Sequence, residues 1–249
     1  MTDPRVILVT GASSGIGRAT AIAFGTLGWR VGLGARGDDR RDAAADEVRA
    51  AGGEACSARL DVRDPKSIDD WFDACEQSLG PPDALVNNAG VAAPGAIDDV
   101  GIDEHRHVIE TDLLGPILTA RRAIGVMRGR PSDLVFVSSD VTRAPRPRLA
   151  SYAAAKAGVE QLARTLCLEL EGTGIRSTIV RVGPTVTEFA ADWDPSGLAD
   201  LMATWKRFGF DRRTGLLDPR EVADAIVRVV TLPPGVHAPE IELHATEPH

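Results

Sequence analysis

Short runs of β-branched and other apolar residues alternate with longer amphipathic segments along most of the chain. The apolar runs predict β-strands at 5–10, 30–35, 54–61, 83–89, 133–139, 176–183 and 240–243. The segments between them predict helices near 15–28, 39–51, 65–79, 103–129, 151–172 and 219–232. Because such alternation requires right-handed crossovers, it predicts an α/β fold: a parallel sheet of about seven strands with helices on both faces.

This rhythm shows no internal boundary, so we expect one doubly wound domain over residues 1–249, although that length also has room for two small domains. Only 188–215 departs from the rhythm, and we interpret it as a substrate-loop insertion. Five aromatic residues lie in it: Phe189, Trp193, Trp205, Phe208 and Phe210. They suit either a lid over an apolar substrate or a contact between subunits.

Charge and hydropathy exclude several kinds of partner. The net charge of −8 argues against a nucleic-acid surface, which is normally basic. The chain has neither an uncharged apolar stretch of membrane-spanning length nor a signal peptide at its start, so we expect a cytoplasmic protein without a membrane partner. His105 and His107 have no spaced carboxylate or thiol partners, and no metal is assigned.

The first predicted strand runs directly into a glycine-rich segment, TGASSGIG at 10–17, and then into a helix. Gly11, Gly15 and Gly17 allow a tight turn and a close approach of the backbone to a pyrophosphate, and the helix N-terminus offers unpaired N–H groups. A glycine cluster can also be only a tight turn. Its place after a strand, before a helix and at the start of a βαβ pattern favours a nucleotide site.

The end of the second predicted strand bears on which nucleotide is bound. An acidic residue there would bond the ribose 2′-OH of NAD, whereas an Arg would receive the 2′-phosphate of NADP. The chain has Arg36 at this point, which favours NADP. The alternatives are that Arg36 is simply a solvated residue, or that Asp38 or Asp39 reaches the ribose of NAD.

Taken together, four motifs in order resemble the short-chain dehydrogenase/reductase family of the non-extended type. They are TGASSGIG, NNAG at 87–90, Ser139 at the end of the fifth strand, and Tyr152-x-x-x-Lys156. The resemblance covers essentially the whole chain, and it implies a Rossmann-type domain, a nicotinamide cofactor, a small-molecule carbonyl or alcohol substrate, and a homodimer or homotetramer.

The resemblance also implies a set of cofactor-binding residues. Asp61 matches the position that meets the adenine, 87–90 the segment beside the adenosine ribose, and Thr187 the threonine that holds the nicotinamide carboxamide. The usual Pro-Gly before this threonine is Val182-Gly183 here. The full set is Gly11, Ser13, Ser14, Gly15, Ile16, Gly17, Arg36, Asp61, Val62, Asn87, Ala89, Gly90, Tyr152, Lys156, Gly183, Thr185 and Thr187.

The chain has a single tyrosine, and its position explains the expected chemistry. A carbonyl that accepts hydride at carbon needs a proton at oxygen, and a phenol with an ordinary pKa of about 10 needs help to act in both directions. Lys156, one helical turn from Tyr152, favours the phenolate electrostatically. By resemblance, Tyr152 is the acid/base, Lys156 also bonds the nicotinamide ribose, and Ser139 orients the substrate oxygen.

One residue departs from the family pattern: Asp112 stands where the family has Asn. In the family that Asn holds a water which connects the catalytic lysine to solvent, so the substitution bears on proton relay. An ionised Asp112 would oppose the Tyr152 phenolate, but we expect catalysis to survive. The alternative function is a nucleotide-binding sensor or scaffold that keeps the fold with little or no turnover.

The segment TRAPRPR at 142–148 lies between Ser139 and Tyr152, where related enzymes line the mouth of the substrate pocket. Arg143, Arg146 and Arg148 are interpreted either as an attraction for an anionic substrate or as part of a solvated, proline-rich loop.

Overall fold

The computed structural model describes residues 4–191, 193–209 and 215–246. Its strands form one sheet in the order β3-β2-β1-β4-β5-β6-β7, and every neighbouring pair is parallel. The strands are β1 (Val6–Thr10), β2 (Arg30–Ala35), β3 (Glu54–Arg59), β4 (Ala84–Asn87), β5 (Ser132–Ser139), β6 (Ile175–Val182) and β7 (Glu240–Leu243). The predicted parallel sheet is confirmed.

Helices connect and cover the strands. They are α1 (Gly15–Thr26), α2 (Asp38–Ala50), α3 (Pro65–Leu79), α4 (Ile102–Ile109), α5 (Gly115–Met127), α6 (Ala150–Glu169), α7 (Pro195–Arg207) and α8 (Pro219–Val230). Within the described ranges, no helix combines the length and the apolar character needed to cross a membrane.

The side chains of β1 show how the core is divided between the two faces of the sheet. Ile7 and Val9 belong to a cluster with Phe24 of α1, whereas Leu8 belongs to a second cluster with Trp71 of α3. Helices α1, α2 and α8 supply the first cluster, and α3, α5 and α6 supply the second. The strands are therefore buried on both faces, which accounts for their continuous apolar runs.

The strand order reverses between β1 and β4, because the chain crosses from β3 at one edge back to the middle of the sheet. In open α/β sheets a crevice forms at such a reversal, outside the carboxyl ends of the strands. The glycine-rich turn follows β1 here and NNAG follows β4, so the fold places both motifs at the crevice.

The single helix predicted at 103–129 is wrong in one respect. The structure has α4, then a π-helical turn at Glu110–Leu114, then α5. Pro116 has no N–H to donate to the carbonyl four residues earlier, at Asp112, and a π-helical turn accommodates the missing bond. The candidate residue Asp112 lies inside this turn and is completely buried.

A helix that the strand–helix rhythm did not predict, α7, lies inside 188–215. Asp194 caps it by accepting a 2.9 Å hydrogen bond from the N–H of Gly197, and a proline stands at its first position. Residues 192 and 210–214, which include Phe210, lie outside the described residues. The interpretation of this segment as a substrate-loop insertion stays a prediction.

Candidate active site

The glycine-rich turn adopts a backbone that requires its glycines. Gly11 and Gly15 have φ values of 66° and 50°, in the left-handed region. A Cβ at Gly17 would lie 2.3 Å from the carbonyl oxygen of Gly11, so only glycine fits where α1 starts beneath the turn. Ser14 precedes α1 without a side-chain capping bond, which leaves the first N–H groups of the helix to an external acceptor.

Thr10 and Asn88 lock this turn to the end of β4. The Thr10 hydroxyl oxygen accepts 3.0 Å hydrogen bonds from the N–H groups of both Asn88 and Ala89. In return the Asn88 amide donates to the carbonyl oxygens of Thr10 and Gly11, at 3.0 and 3.2 Å. Sequence reasoning missed the role of these two side chains, although both stand within the motifs that it singled out.

A cleft of about 1060 Å³ runs from this turn across the carboxyl ends of the strands. Its size is at the upper end of the usual range for small-molecule sites, about 300–1,000 Å³. Among the predicted residues, those that line it are Gly11, Ser13, Ser14, Gly15, Ile16, Arg36, Asp61, Val62, Ala89, Gly90, Ser139, Tyr152, Lys156, Gly183, Thr185 and Thr187. Gly17, Asn87 and Asp112 are buried behind the lining.

At one end of the cleft, Arg36 is exposed beside the turn. Arg40, on the first turn of α2, also lines the cleft and was not predicted. The acidic alternative is engaged elsewhere, because the Asp38 carboxylate accepts a 2.7 Å bond from the largely buried Arg41. Arg36 and Arg40 therefore line this end of the cleft, whereas Asp38 and Asp39 do not.

Asp61 is held by a neighbour that sequence reasoning did not consider. Arg63 donates to both of its oxygens, at 2.9 and 2.6 Å, and also lies 3.0 Å from Nδ1 of His107. The hydrogen bonds from Arg63 lower the pKa of Asp61 to about 2, so its carboxylate is ionised at neutral pH.

Of the four side chains predicted to be catalytic, Ser139, Tyr152 and Lys156 line the cleft together, and Asp112 lies behind them. Ser139 ends β5, and Tyr152 and Lys156 project from the first two turns of α6. The Lys156 ammonium lies 5.6 Å from the centroid of the Tyr152 ring, and it donates a 3.2 Å bond to the carbonyl oxygen of Val137 on β5. The strand and the helix thus hold the lysine beneath the phenol.

Asp112 contacts this cluster directly. Its Oδ2 lies 3.3 Å from the Lys156 ammonium, and its Oδ1 accepts a 2.8 Å bond from the N–H of Val91. A Cβ at Gly90 would lie 2.8 Å from Asp112 Oδ2, so glycine is needed where the chain passes over the ion pair. Asp112, which stands where the family has Asn, is therefore a direct partner of Lys156.

The titration of these groups follows from burial and mutual charge. Burial raises the pKa of Tyr152, Lys156 lowers it and Asp112 raises it, with a net upward direction. Burial also raises the pKa of Asp112, to about 6, against the attraction of Lys156. For Lys156, burial lowers the pKa, but attraction to Asp112 and Tyr152 outweighs it and the net direction is upward.

A second charged group fastens α6 to the sheet beside this cluster. The Glu160 carboxylate bonds Nε and Nη2 of the fully buried Arg181 on β6, at 2.8 and 2.7 Å. It also accepts bonds from the hydroxyls of Ser138 and Thr142, at 2.9 and 2.8 Å. Because Ser138 and Thr142 flank Ser139, this group fixes the end of β5 against α6. We call Glu160, Arg181, Ser138 and Thr142 the α6 clamp.

Aromatic residues of 188–215 line the cleft beside Tyr152. The ring centroids of Tyr152 and Phe189 are 5.4 Å apart, and those of Phe189 and Trp193 are 5.9 Å apart. Trp205 of α7 donates a 2.9 Å bond from Nε1 to the carbonyl oxygen of Pro147.

The three arginines of 142–148 have different surroundings. Arg143 pairs with Glu240 at 2.8 Å and is largely exposed, and Arg148 pairs with Asp200 of α7 at 2.7 Å. Only Arg146 of the three lines the cleft, where it pairs with Asp140. Arg143 thus has the surroundings of a solvated loop, and the attraction of Arg146 for an anionic substrate stays a prediction.

The arrangement is suited to a dinucleotide. The glycine turn and the uncapped start of α1 offer backbone N–H groups to a pyrophosphate, and the cleft continues from there to Tyr152. Within the described part of the chain, no group of three or more His, Cys, Asp and Glu side chains is arranged to hold a metal ion.

Relatives of known name match most of the chain. It is 32% identical over 238 residues to the glycine betaine reductase ATRR of Emericella nidulans, covering 95% of this chain but only 18% of that protein. It is 37% identical over 193 residues to the 3beta-hydroxysteroid dehydrogenase 1 of Eggerthella lenta, covering 76% of this chain and 73% of that protein.

The fold matches a solved structure over nearly its whole length. The alcohol dehydrogenase from the archaeon Thermococcus sibiricus, complexed with 5-hydroxy-NADP, superposes with a TM-score of 0.84 at 27% identity, covering 98% of each chain. The family model for short chain dehydrogenases matches residues 5–196. The chain therefore belongs to the short-chain dehydrogenase/reductase family of oxidoreductases.

Proposed function

We propose that this protein is an NADP(H)-preferring oxidoreductase that transfers a hydride between nicotinamide and a secondary alcohol or ketone. The observation that carries the proposal is the convergence of Ser139, Tyr152 and Lys156 in the same cleft as the glycine turn. The proposal is consistent with the Thermococcus sibiricus alcohol dehydrogenase, whose structure contains 5-hydroxy-NADP.

The candidate residues would contact different parts of the cofactor and the substrate. The glycine turn would hold the pyrophosphate. Asp61 and the NNAG segment would contact the adenosine, and the loop from Gly183 to Thr187 would hold the nicotinamide. When bound, the nicotinamide supplies or accepts the hydride. Tyr152 gives a proton to the substrate oxygen, or takes one from it, and Ser139 donates a hydrogen bond to the same oxygen.

The raised pKa of Tyr152 favours one direction. A phenol that stays protonated at neutral pH is ready to act as an acid in carbonyl reduction. Alcohol oxidation needs the phenolate, which Lys156 favours and Asp112 opposes. We therefore expect reduction to be efficient near neutral pH and oxidation to improve as the pH rises.

The test is a panel of ketones, aldehydes and secondary alcohols followed by cofactor absorbance. Tyr152→Phe should abolish turnover, because it removes the proton donor, while cofactor binding measured by calorimetry stays within about twofold. Unchanged turnover by this variant would contradict the assignment of Tyr152.

NADP preference rests on Arg36, with Arg40 beside it and Asp38 engaged by Arg41. Arg36→Asp should reverse the preference, since a charge that attracts the 2′-phosphate is replaced by one that repels it. Steady-state kinetics with both cofactors measure this. Equal or better use of NAD by the wild type would refute it.

A second candidate, a nucleotide sensor or scaffold with little turnover, is favoured by one observation. Asp112 binds the Lys156 ammonium at 3.3 Å and thereby offsets the charge that would activate Tyr152. If the wild type turns over nothing on the panel but Asp112→Asn does, the sensor function is correct.

The assembly, the location and the role of 188–215 complete the proposal. We expect a cytoplasmic homodimer or homotetramer, and light scattering that finds only a 26.4 kDa particle would contradict it. We also propose that 188–215 is a substrate lid. Limited proteolysis should cut it more slowly when cofactor and substrate are bound.

A further inference from the structure

The wall of the cleft beside Ser139 contains an ion pair that the proposed hydride transfer does not use. Asp140 follows Ser139 directly, and its Oδ1 accepts a 3.4 Å bond from the Ser139 hydroxyl. Its Oδ2 accepts a hydrogen bond from Nη2 of Arg146. Both side chains line the cleft and are mostly covered, with exposed fractions of 10% for Asp140 and 13% for Arg146.

Arg146 is held from two sides. Asp140 binds one edge of its guanidinium, and the Trp205 ring of α7 faces it, with 5.2 Å between the guanidinium carbon and the ring centroid. Trp205 is itself fixed by its bond to the carbonyl oxygen of Pro147. A guanidinium that is already oriented loses little conformational entropy when it binds a ligand, so it binds the ligand more tightly than a flexible side chain would.

Arg146 differs from the two other arginines of its loop in where its ion pair lies. Arg143 and Arg148, in the same loop, form their ion pairs with Glu240 and Asp200. Arg146 instead lines the cleft near aromatic side chains, where charge interactions are screened less than at the surface. A planar guanidinium with five donors matches an oxyanion, above all a carboxylate.

We propose that Arg146 binds a carboxylate on the substrate while Ser139 and Tyr152 hold the carbonyl or hydroxyl that reacts. This inference rests on the proposed function, because it names the substrate class of the same site. Asp140 bonds both the Arg146 guanidinium and the Ser139 hydroxyl, so the substrate carboxylate would lie a few bonds from the reacting carbon. Phe189 and Trp193 suit an apolar body, which makes the substrate a small oxo acid or hydroxy acid.

Matched substrates separate charge recognition from general damage to the site. The probes are 3-oxobutanoate and 4-oxopentanoate, each compared with its methyl ester, and kcat/KM is measured with NADPH. The wild type should prefer at least one acid over its ester by tenfold or more. Arg146→Met should lower kcat/KM for that acid by about tenfold or more, through KM, and change the ester by less than about threefold.

Arg143→Met is the matched control. It removes a cation from the same loop whose ion pair is with Glu240, so acid and ester should both stay within about twofold of the wild type. Asp140→Asn should change acid binding in the opposite direction to Arg146→Met. It removes the carboxylate that competes for Arg146, so it should tighten acid binding severalfold. If Arg146→Met folds poorly, Asp140→Asn tests the same inference.

A binding measurement keeps this inference apart from the proposed function. Calorimetry of Tyr152→Phe with NADPH and each probe reports affinity without turnover. Acid binding that depends on Arg146 supports the inference even if the wild type reduces nothing, in which case the proposed function fails. Preference for the esters, or an equal loss of acid and ester in Arg146→Met, overturns the inference and leaves the proposed function standing.

Discussion

Helix α6 carries two buried ion pairs, one turn apart, that are built in different ways. Lys156 meets Asp112 at 3.3 Å, and that carboxylate has one further hydrogen bond, from the N–H of Val91. Glu160 receives five hydrogen bonds, two from Arg181, one from Arg164 and one each from Ser138 and Thr142. The four side chains are at most 6% exposed, but Asp112 is packed more deeply than Glu160 and has fewer donors.

This difference decides how each carboxyl group titrates. With few donors, burial dominates at Asp112 and raises its pKa to about 6. At Glu160 burial also acts upward, but the hydrogen bonds from Arg181, Thr142, Ser138 and Arg164 outweigh it and lower the pKa to about 2. The α6 clamp is therefore a fixed charge, whereas the pair beneath Tyr152 changes charge close to physiological pH.

The largest expected effect comes from breaking the α6 clamp. Arg181→Met leaves Glu160 buried without its main partner and strips Glu240 and Glu242 of a shared cation. Loss of one partner of a buried pair costs about 3–5 kcal/mol, which corresponds to a fall in Tm of about 10 °C for a chain of this size. Calorimetric or urea unfolding measures it.

The control for this variant is Arg220→Met. Arg220 pairs with Asp218 at the surface and is 83% exposed, so its removal should leave the free energy of unfolding almost unchanged. Equal losses in the two variants would mean that the clamp does not stabilise the fold.

The two pairs should also respond to pH with opposite signs. The folded-state pKa of Asp112 is raised, so its contribution to stability is present below pH about 4 and is lost as the pH rises to about 6, a change of up to about 3 kcal/mol. The pKa of Glu160 is lowered, so its contribution is present above pH about 4.5 and is lost as the pH falls towards 2.

Urea unfolding of the wild type, Asp112→Asn and Glu160→Gln between pH 3 and 7 tests these signs. Asp112→Asn should gain stability relative to the wild type as the pH rises, while Glu160→Gln should lose it. Parallel pH dependence in the two variants would show that the number of donors does not set the difference.

The smallest expected effect is kinetic. Asp112→Asn removes a negative charge beside Lys156, so the basic-side group in the pH profile of alcohol oxidation should move to lower pH by about one unit or less. Activity should stay within about tenfold of the wild type. Asp70→Asn, at a surface pair with Lys66, should leave the profile unchanged. A profile that does not move in Asp112→Asn would mean that this carboxylate does not act on Tyr152.

What the sequence predicted correctly is what short stretches of chain encode. The apolar runs predicted a parallel, doubly wound sheet of about seven strands, and the structure has such a sheet. The glycine turn that follows the first strand lines the cleft. The spacing of Tyr152 and Lys156 predicted one shared helix face, because residues four apart are neighbours on a helix.

What the sequence did not reveal depends on contacts between distant segments. Nothing near Arg181 indicates that three carboxylates from α6 and β7 surround it, since only the folded sheet brings them together. The same holds for Arg63 beside His107 and for Arg146 beneath Trp205. Two features that were not predicted do have a signal in the nearby sequence. Pro116 accounts for the π-helical turn, and Asp194 before a proline marks the start of α7.

The α6 clamp also has a consequence for the order of synthesis. Glu240 and Glu242, which neutralise one edge of the Arg181 guanidinium, follow it in the chain by 59 and 61 residues. At about 5–20 residues per second, a ribosome needs roughly 3–12 s to make that stretch. During that interval the growing chain offers Arg181 the Glu160 carboxylate and the Thr142 hydroxyl, both made before it, so the other two of its three ion pairs form only after β7 has been made.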